Sequence, residues 1–253
     1  PHAALGLAYL VQRRFAESSA AFGRALALDP DDVTANLWSG SALVAAGYLS
    51  RGRARLAHAV DVDPAHPNAA YWLAWTTYSL GDRATAERLV QKAQELELVH
   101  AGYLASTFAA ERGRVEEAVG LMTSALGPQI PDLPTGSGEV IARGLFGYTA
   151  ARRRALEVVD AYVATGPEVV NGNIPFLLGR LGEAARALDV GGRGPTTNDS
   201  IFFLHLWSPE GRAMRTAPGF PAFARKVGLA AVWDREGPPD LCERKAPGDY
   251  VCR

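Results

Sequence analysis

The sequence predicts an all-α fold: antiparallel helix pairs stacked into a solenoid. Three observations predict it. A repeat of 34 residues sets Asp29-Pro30 in register with Asp63-Pro64. Apolar residues recur at spacings of three and four within each repeat. Glycines stand where helices have to end.

The elements follow from that register. In the first unit Leu5-Gly6 and Tyr9 align with Ser39-Gly40 and Leu43 of the second. Phe22 and Ala25 precede Pro30 as Leu56 and Ala59 precede Pro64. A third unit runs through Leu73-Ala74, Gly81-Asp82, Ala86, Val90 and Ala93, and a fourth through Gly113-Arg114, Ala118, Met122 and Ala125. Small residues in the first helix (Gly6, Gly40, Ala74) and in the second (Ser18, Gly52, Ala86, Ala118) let the two helices approach closely. Phe22, Leu56, Val90 and Met122 fill the space between units. Gly47, Gly81 and Gly113 end first helices, where a left-handed residue costs least. Pro30 and Pro64 suit the turn into the next unit.

Leu5-Gly6-Leu7-Ala8-Tyr9, Ser18, Phe22, Ala25 and Pro30, with echoes at Gly40, Ala59, Pro64, Ala86 and Ala93, resemble the tetratricopeptide repeat (TPR) family. The resemblance covers residues 1–98 well and continues to about 127. It implies a right-handed superhelix of helix pairs and a protein- or peptide-binding role. The sequence departs from the pattern where Asn36 and Ala70 occupy the position of the family's tryptophan, and where Leu98 replaces a turn proline.

Beyond the four units of residues 1–127, residues 128–138 form a Pro/Gly-rich connector, because three prolines within seven residues break a helix. Residues 139–190 carry degenerate pairs: helical pattern at Glu139–Thr149 and Arg152–Ala164, with Ala155, Val159 and Pro167 loosely on the template, then Leu178-Gly179-Arg180 and Glu183-Ala184. About six units are expected, the first truncated. Residues 191–200 read as a second loop. Residues 191–253 as a whole are expected to cap the array, since a solenoid's last unit exposes an apolar face. Here Ile201–Trp207 is a compact apolar helix, Ser208-Pro209-Glu210 reads as an N-cap followed by proline, and Phe220, Phe223 and Val227 share a face. Arg215, Pro218, Phe220, Phe223, Gly228-Leu229, Trp233 and Pro239-Asp240-Leu241-Cys242 resemble the C-terminal signature of bacterial multidomain regulators. Those carry N-terminal winged-helix, class III nucleotide cyclase or Toll/interleukin-1 receptor (TIR) effector domains. Pro1, and a first unit that starts inside its helix, lead us to expect a piece of a longer protein.

Composition narrows the function. The 253 residues are 48% hydrophobic and 21% charged with a net charge of −1, so no basic surplus points to direct nucleic-acid contact. No apolar run is long enough to span a bilayer, and no charged start precedes an apolar leader region. A cytoplasmic location is favoured, or a periplasmic one if an upstream part carries a transmembrane helix. Lysine occurs only at Lys92, Lys226 and Lys245, and the wealth of Ala, Gly and Arg suggests a high-GC bacterial genome. The motifs of phosphate loops, zinc peptidases and serine hydrolases are missing. No cofactor, metal or catalytic residue is expected. His58 and His66 flank a turn in poor geometry for a shared metal, and Glu116-Glu117 read as solvated helix residues.

By template position, the resemblance implies a peptide-binding groove lined by Leu37, Ser41 and Val44, by Asn68, Tyr71, Trp75 and Tyr78, and by His100, Tyr103 and Thr107. Tyr71, Trp75 and Tyr78 fall at i, i+4 and i+7 on one helical face. The alternative is that they pack between helices. An uncharged aromatic groove would take an apolar peptide or a segment of its own chain, and the missing lysines argue against capture of a chaperone's C-terminal carboxylate. Arg152-Arg153-Arg154 reads as a solvated helix start or a contact for an acidic partner. Cys242 and Cys252 would pair in an oxidising compartment and stay free thiols in a reducing one. The favoured reading is the binding, regulatory arm of a signalling or transcription-regulating protein, with a protein or peptide ligand or its own effector domain as the partner. The alternatives are a homodimerising scaffold and an enzyme with an unrecognised site.

Overall fold

A computed structural model describes residues 1–130, 133–147, 149–165, 171–194 and 199–253. Part of the connector (131–132), Pro167 and part of the second loop (195–198) lie outside the described residues. The fold is all-α, a TPR-like solenoid of helix pairs. The pairs are α1 (His2–Val11) with α2 (Phe15–Leu28), α3 (Val33–Ala45) with α4 (Leu49–Val62), and α5 (Pro67–Ser79) with α6 (Arg83–Glu95). Then come α7 (Gly102–Glu111) with α8 (Val115–Leu126), α9 (Ser137–Phe146) with α10 (Thr149–Ala164), and α11 (Asn173–Arg180) with α12 (Ala184–Gly191). A short 3₁₀ turn, Val99–Ala101, introduces α7 where Leu98 stands in place of a turn proline.

Backbone geometry explains the register. Gly47, Gly81 and Gly113 have φ of 87°, 91° and 74°, the left-handed conformation that ends a first helix without a Cβ clash. Arg13 sits one repeat before Gly47 and adopts φ 58° there. Gly40 and Gly52 face each other across the second pair: a Cβ on Gly40 would lie 2.7 Å from Leu56, and one on Gly52 would lie 2.6 Å from Val44. The entry into α3 is made not by Pro30 but by Asp32, whose carboxylate accepts from the Ala35 N–H at 2.9 Å. At α5, His66 occupies the N-cap and Pro67 the first helical position.

The charged outer surface ties successive pairs together. Arg83 pairs with Glu87 and Glu111, Arg112 with Glu87, and Arg143 with both Glu116 and Glu139. Arg152 donates to the Leu181 carbonyl at 2.6 Å and pairs with Glu183, so this member of the arginine run joins the fifth pair to the sixth.

The remaining helices are α13 (Asp199–Trp207), a 3₁₀ turn at Pro209–Gly211, α14 (Arg212–Arg215), α15 (Phe220–Lys226) and α16 (Leu229–Glu236). Ser208 stands at the N-cap position, but its single hydroxyl proton is shared between the Glu210 carboxylate and the His205 carbonyl, and it caps no backbone N–H. The chain ends in an antiparallel hairpin of β1 (Cys242–Ala246) and β2 (Asp249–Cys252), in which Cys242 lies opposite Cys252 and is bonded to it. Sequence periodicity predicts no strands, so this small hairpin adds to the all-α reading.

Candidate functional site: a groove closed by the C-terminal segment

The C-terminal segment does more than cover the last pair. It contacts α11 and α12, and it also runs back over the first helices of earlier pairs, so that α13 packs on α3, α5 and α11. Ile201, Phe202, Phe203, Leu204, Leu206 and Trp207 are all buried there. At roughly 25 cal/mol per Å² of apolar surface, burying such side chains provides several kcal/mol for docking.

Polar contacts fix the docking at one place, the turn that ends α3. A helix leaves its last carbonyls without intrahelical donors. The Trp207 indole N–H donates to the Ala45 carbonyl at 3.0 Å, and the Trp233 indole N–H donates to the Ala46 carbonyl at 2.7 Å. Gly47 completes the seat, because a Cβ there would lie 2.7 Å from Trp207 and 2.8 Å from Pro239. The Tyr48 hydroxyl donates to the Gly237 carbonyl at 2.7 Å. Asp240 reaches the start of α4, where its carboxylate accepts from the Ser50 N–H at 2.6 Å. Its position at that helix N-terminus is electrostatically favourable.

Arg215 holds the segment's own shape. It is 5% exposed. Its Nη1 donates to the carbonyls of Leu206 (2.5 Å) and Ser208 (2.7 Å), and its Nε to that of Arg253 (3.1 Å). Burial lowers its pKa to about 10, so it stays charged at neutral pH. Trp233, Pro239 and Asp240 thus carry the docking onto the end of α3 and the start of α4, while Arg215 braces the segment from within. The Trp233 ring also packs on Tyr250 at 5.0 Å, which links the hairpin to the seat. Tyr250 donates to Asp234 at 2.8 Å, and burial pushes its phenol up to about 12.

The residues expected to line a groove are largely brought together and covered. Leu37, Ser41, Val44, Tyr71, Trp75, Tyr78, Tyr103 and Thr107 are buried, while Asn68 and His100 are half-buried. Tyr71, Trp75 and Tyr78 form a ladder of edge-to-face rings that continues to Phe108. Three of the lining residues hold the later helices. Tyr78 donates to Glu210 at 2.6 Å, Tyr103 donates to Asn173 at 2.7 Å, and Thr107 accepts from Arg180 at 2.9 Å. Val44 packs toward Gly52, inside its own pair. Ser41 donates to the Leu37 carbonyl at 2.9 Å. A side chain buried in this way offers no surface to an outside peptide while the segment is seated.

His205 is fully buried beneath this face, with its ring edge-to-face on Phe176 at 5.2 Å and no partner for Nε2. Burial, and the positive charges of Arg180 and Arg215, hold its pKa well below the usual histidine value. His58 pairs with Asp31 at 2.8 Å.

An opening remains in the face among the described residues. A cavity of about 140 Å³ is walled by Trp38, Tyr71, Trp72, His100 and Tyr103, with Asn68 and Gln129 beside them and Ile201 and Leu204 of α13 closing one side. A larger depression of about 460 Å³ lies between α2, α3 and α4 and borders Val232 and Glu236 of α16. None of the unpartnered buried side-chain atoms among the described residues belongs to its lining.

A tetratricopeptide repeat family model matches residues 1–32, the first helix pair. No curated protein matches the chain. The first helix pair is therefore similar to a TPR unit and continues into a TPR-like array of helix pairs, an architecture that suggests a protein-interaction module. No helix among the described residues is long and apolar enough to cross a membrane.

Proposed function

We propose that this chain is the regulatory, protein-binding arm of a longer bacterial signalling or transcription-regulating protein. Its binding face is held shut by its own C-terminal segment. A partner that presents a helix of similar chemistry, apolar and aromatic on one side, displaces α13 and couples binding to the rest of the protein. The observation that carries this reading is the pair of indole N–H groups, Trp207 and Trp233, spent on the end of α3. They make the covered face a defined docking site with a segment that can compete for it. The disulfide between Cys242 and Cys252 fits an oxidising compartment and so favours the periplasmic alternative.

The test uses a fluorescent peptide of residues 199–216 added to the intact chain and to its Trp207→Ala variant. The weakened variant binds the peptide in trans more tightly than the native chain does. Failure of the peptide to bind either protein, with helicity retained, would overturn the reading.

A second reading, self-association that brings effector domains together, is favoured by apolar side chains exposed on the first pair: Leu5, Val11 and Leu28, the last 77% exposed. Light scattering over a range of concentrations distinguishes the two, since a monomer throughout excludes self-association.

A further inference from the structure

We propose that the Cys242–Cys252 disulfide is a redox lock on the covered face: the bond keeps the C-terminal segment seated, and a dithiol reductant loosens it. This rests on the reading in which that segment competes with a partner for the face, and it names what regulates the competition.

The lock works through the open end of the hairpin. The tip is held without the bond, because Asp234 of α16 accepts from the Gly248 N–H at 3.0 Å and from the Tyr250 hydroxyl at 2.8 Å. The open end is closed by Cys242 and Cys252, beside the backbone bond from the Arg253 N–H to the Leu241 carbonyl. That end grips the seat from two sides. Just before Cys242, Asp240 accepts from the Ser50 N–H at 2.6 Å and donates its own N–H to the Gly47 carbonyl at 3.2 Å. Just after Cys252, the Arg253 carbonyl accepts from Arg215, whose guanidinium also holds the carbonyls of Leu206 and Ser208 on either side of Trp207. A two-stranded hairpin is marginal in water by itself, and β1 is exposed at every residue after Cys242. Breaking the cross-link lets the two strand ends part, so both grips loosen together.

A reductant can approach the bond. Both cysteines line an open cavity of about 250 Å³, together with Asp240, Leu241, Glu243, Val251 and Arg253. A thiolate of the dithiol attacks one sulfur, the S–S bond breaks, and the other cysteine leaves as a thiolate. The second thiol of the reductant then resolves the mixed disulfide. The reductant ends as a disulfide, and Cys242 and Cys252 end as two thiols that have gained its two electrons and two protons. These are the chain's only cysteines, so reduction acts at this bond alone.

The test compares the oxidised chain, the chain in excess dithiothreitol, and the variant carrying both Cys242→Ser and Cys252→Ser. The probe is the fluorescent 199–216 peptide, which contains no cysteine. Apparent affinity scales with the fraction of chains whose face is open, and the reduced chain binds the peptide on the order of tenfold more tightly than the oxidised one. The double variant matches the reduced chain and does not respond to dithiothreitol. Hydrogen exchange of the α13 amides is a second readout that needs no peptide: reduction speeds it by a similar factor while helical circular dichroism is retained. Equal α13 exchange in the oxidised and reduced chains would overturn the lock. So would equal peptide affinity in the two while Trp207→Ala binds more tightly, an outcome that leaves the protein-binding reading standing. Faster α13 exchange on reduction, with no peptide binding to any of these proteins, supports the lock and counts against the protein-binding reading alone.

Discussion

Trp207 and Ala45 are joined by a hydrogen bond across 162 positions of sequence, the indole N–H of one meeting the final α3 carbonyl of the other. Removing the ring costs both packing and that bond. Trp207→Ala is expected to lose about 3–5 kcal/mol in urea unfolding. Trp207→Phe, which leaves a buried carbonyl without its donor, is expected to lose about 1–3 kcal/mol. If both variants unfold like the native chain, the segment is not seated on α3.

Gly47 and Gly81 share the left-handed conformation, with φ 87° and 91°, but differ in surroundings. A Cβ on Gly81 meets nothing within 4 Å, whereas one on Gly47 meets Trp207 and Pro239. Gly81→Ala therefore measures backbone strain alone, about 1–2 kcal/mol. Gly47→Ala adds the displacement of the seated segment, about 1–3 kcal/mol more by the cost of overpacking. Paired thermal melts of the two variants check the difference.

Acid weakens the fold through His205. Its folded pKa is depressed, so the unfolded chain binds a proton that the folded chain refuses. Stability is therefore present above the unfolded value of 6.5 and is lost as pH falls below it. Between pH 7.5 and 5.5 the expected loss from this residue is about 1 kcal/mol. His205→Phe removes that part of the slope. His100, also depressed, leaves a residual slope of the same sign. A melting temperature that rises on acidification would contradict the assignment.

The hairpin is closed by the Cys242–Cys252 bond over a separation of 10 residues. A cross-link over so short a loop stabilises by about 2–3 kcal/mol. Reduction, or Cys242→Ser with Cys252→Ser, is expected to lower the melting temperature while leaving the helical circular dichroism intact, because the hairpin lies outside the helix pairs. An unchanged melt would show that Tyr250 and Trp233 hold the hairpin without the bond.

Much of the array is legible in the sequence because its determinants are local. Gly40 against Leu56 and Gly52 against Val44 repeat a contact made within one pair, and Gly47, Gly81 and Gly113 mark turns by conformation alone. The i, i+4, i+7 spacing also places Tyr71, Trp75 and Tyr78 together. What covers them is a different matter. The seat of Trp207 on Ala45, the reach of Asp240 to Ser50 and the Tyr78–Glu210 bond join residues more than 130 positions apart, and periodicity carries no information on such pairs. Arg215 stands among several arginines, and only its burial against three carbonyls distinguishes it. The hairpin escapes for another reason: Glu243, Arg244 and Lys245 are all exposed, so β1 lacks the alternation that would announce a half-buried strand.

The central claim is that residues 201–207 are docked on α3 in the resting protein, and native-state hydrogen exchange tests it most directly. In the intact chain, amides of α13 and of α3 are predicted to be protected together, and in Trp207→Ala both are predicted to lose protection together. Rapid exchange of α13 in the native chain, with α3 remaining protected, would contradict it.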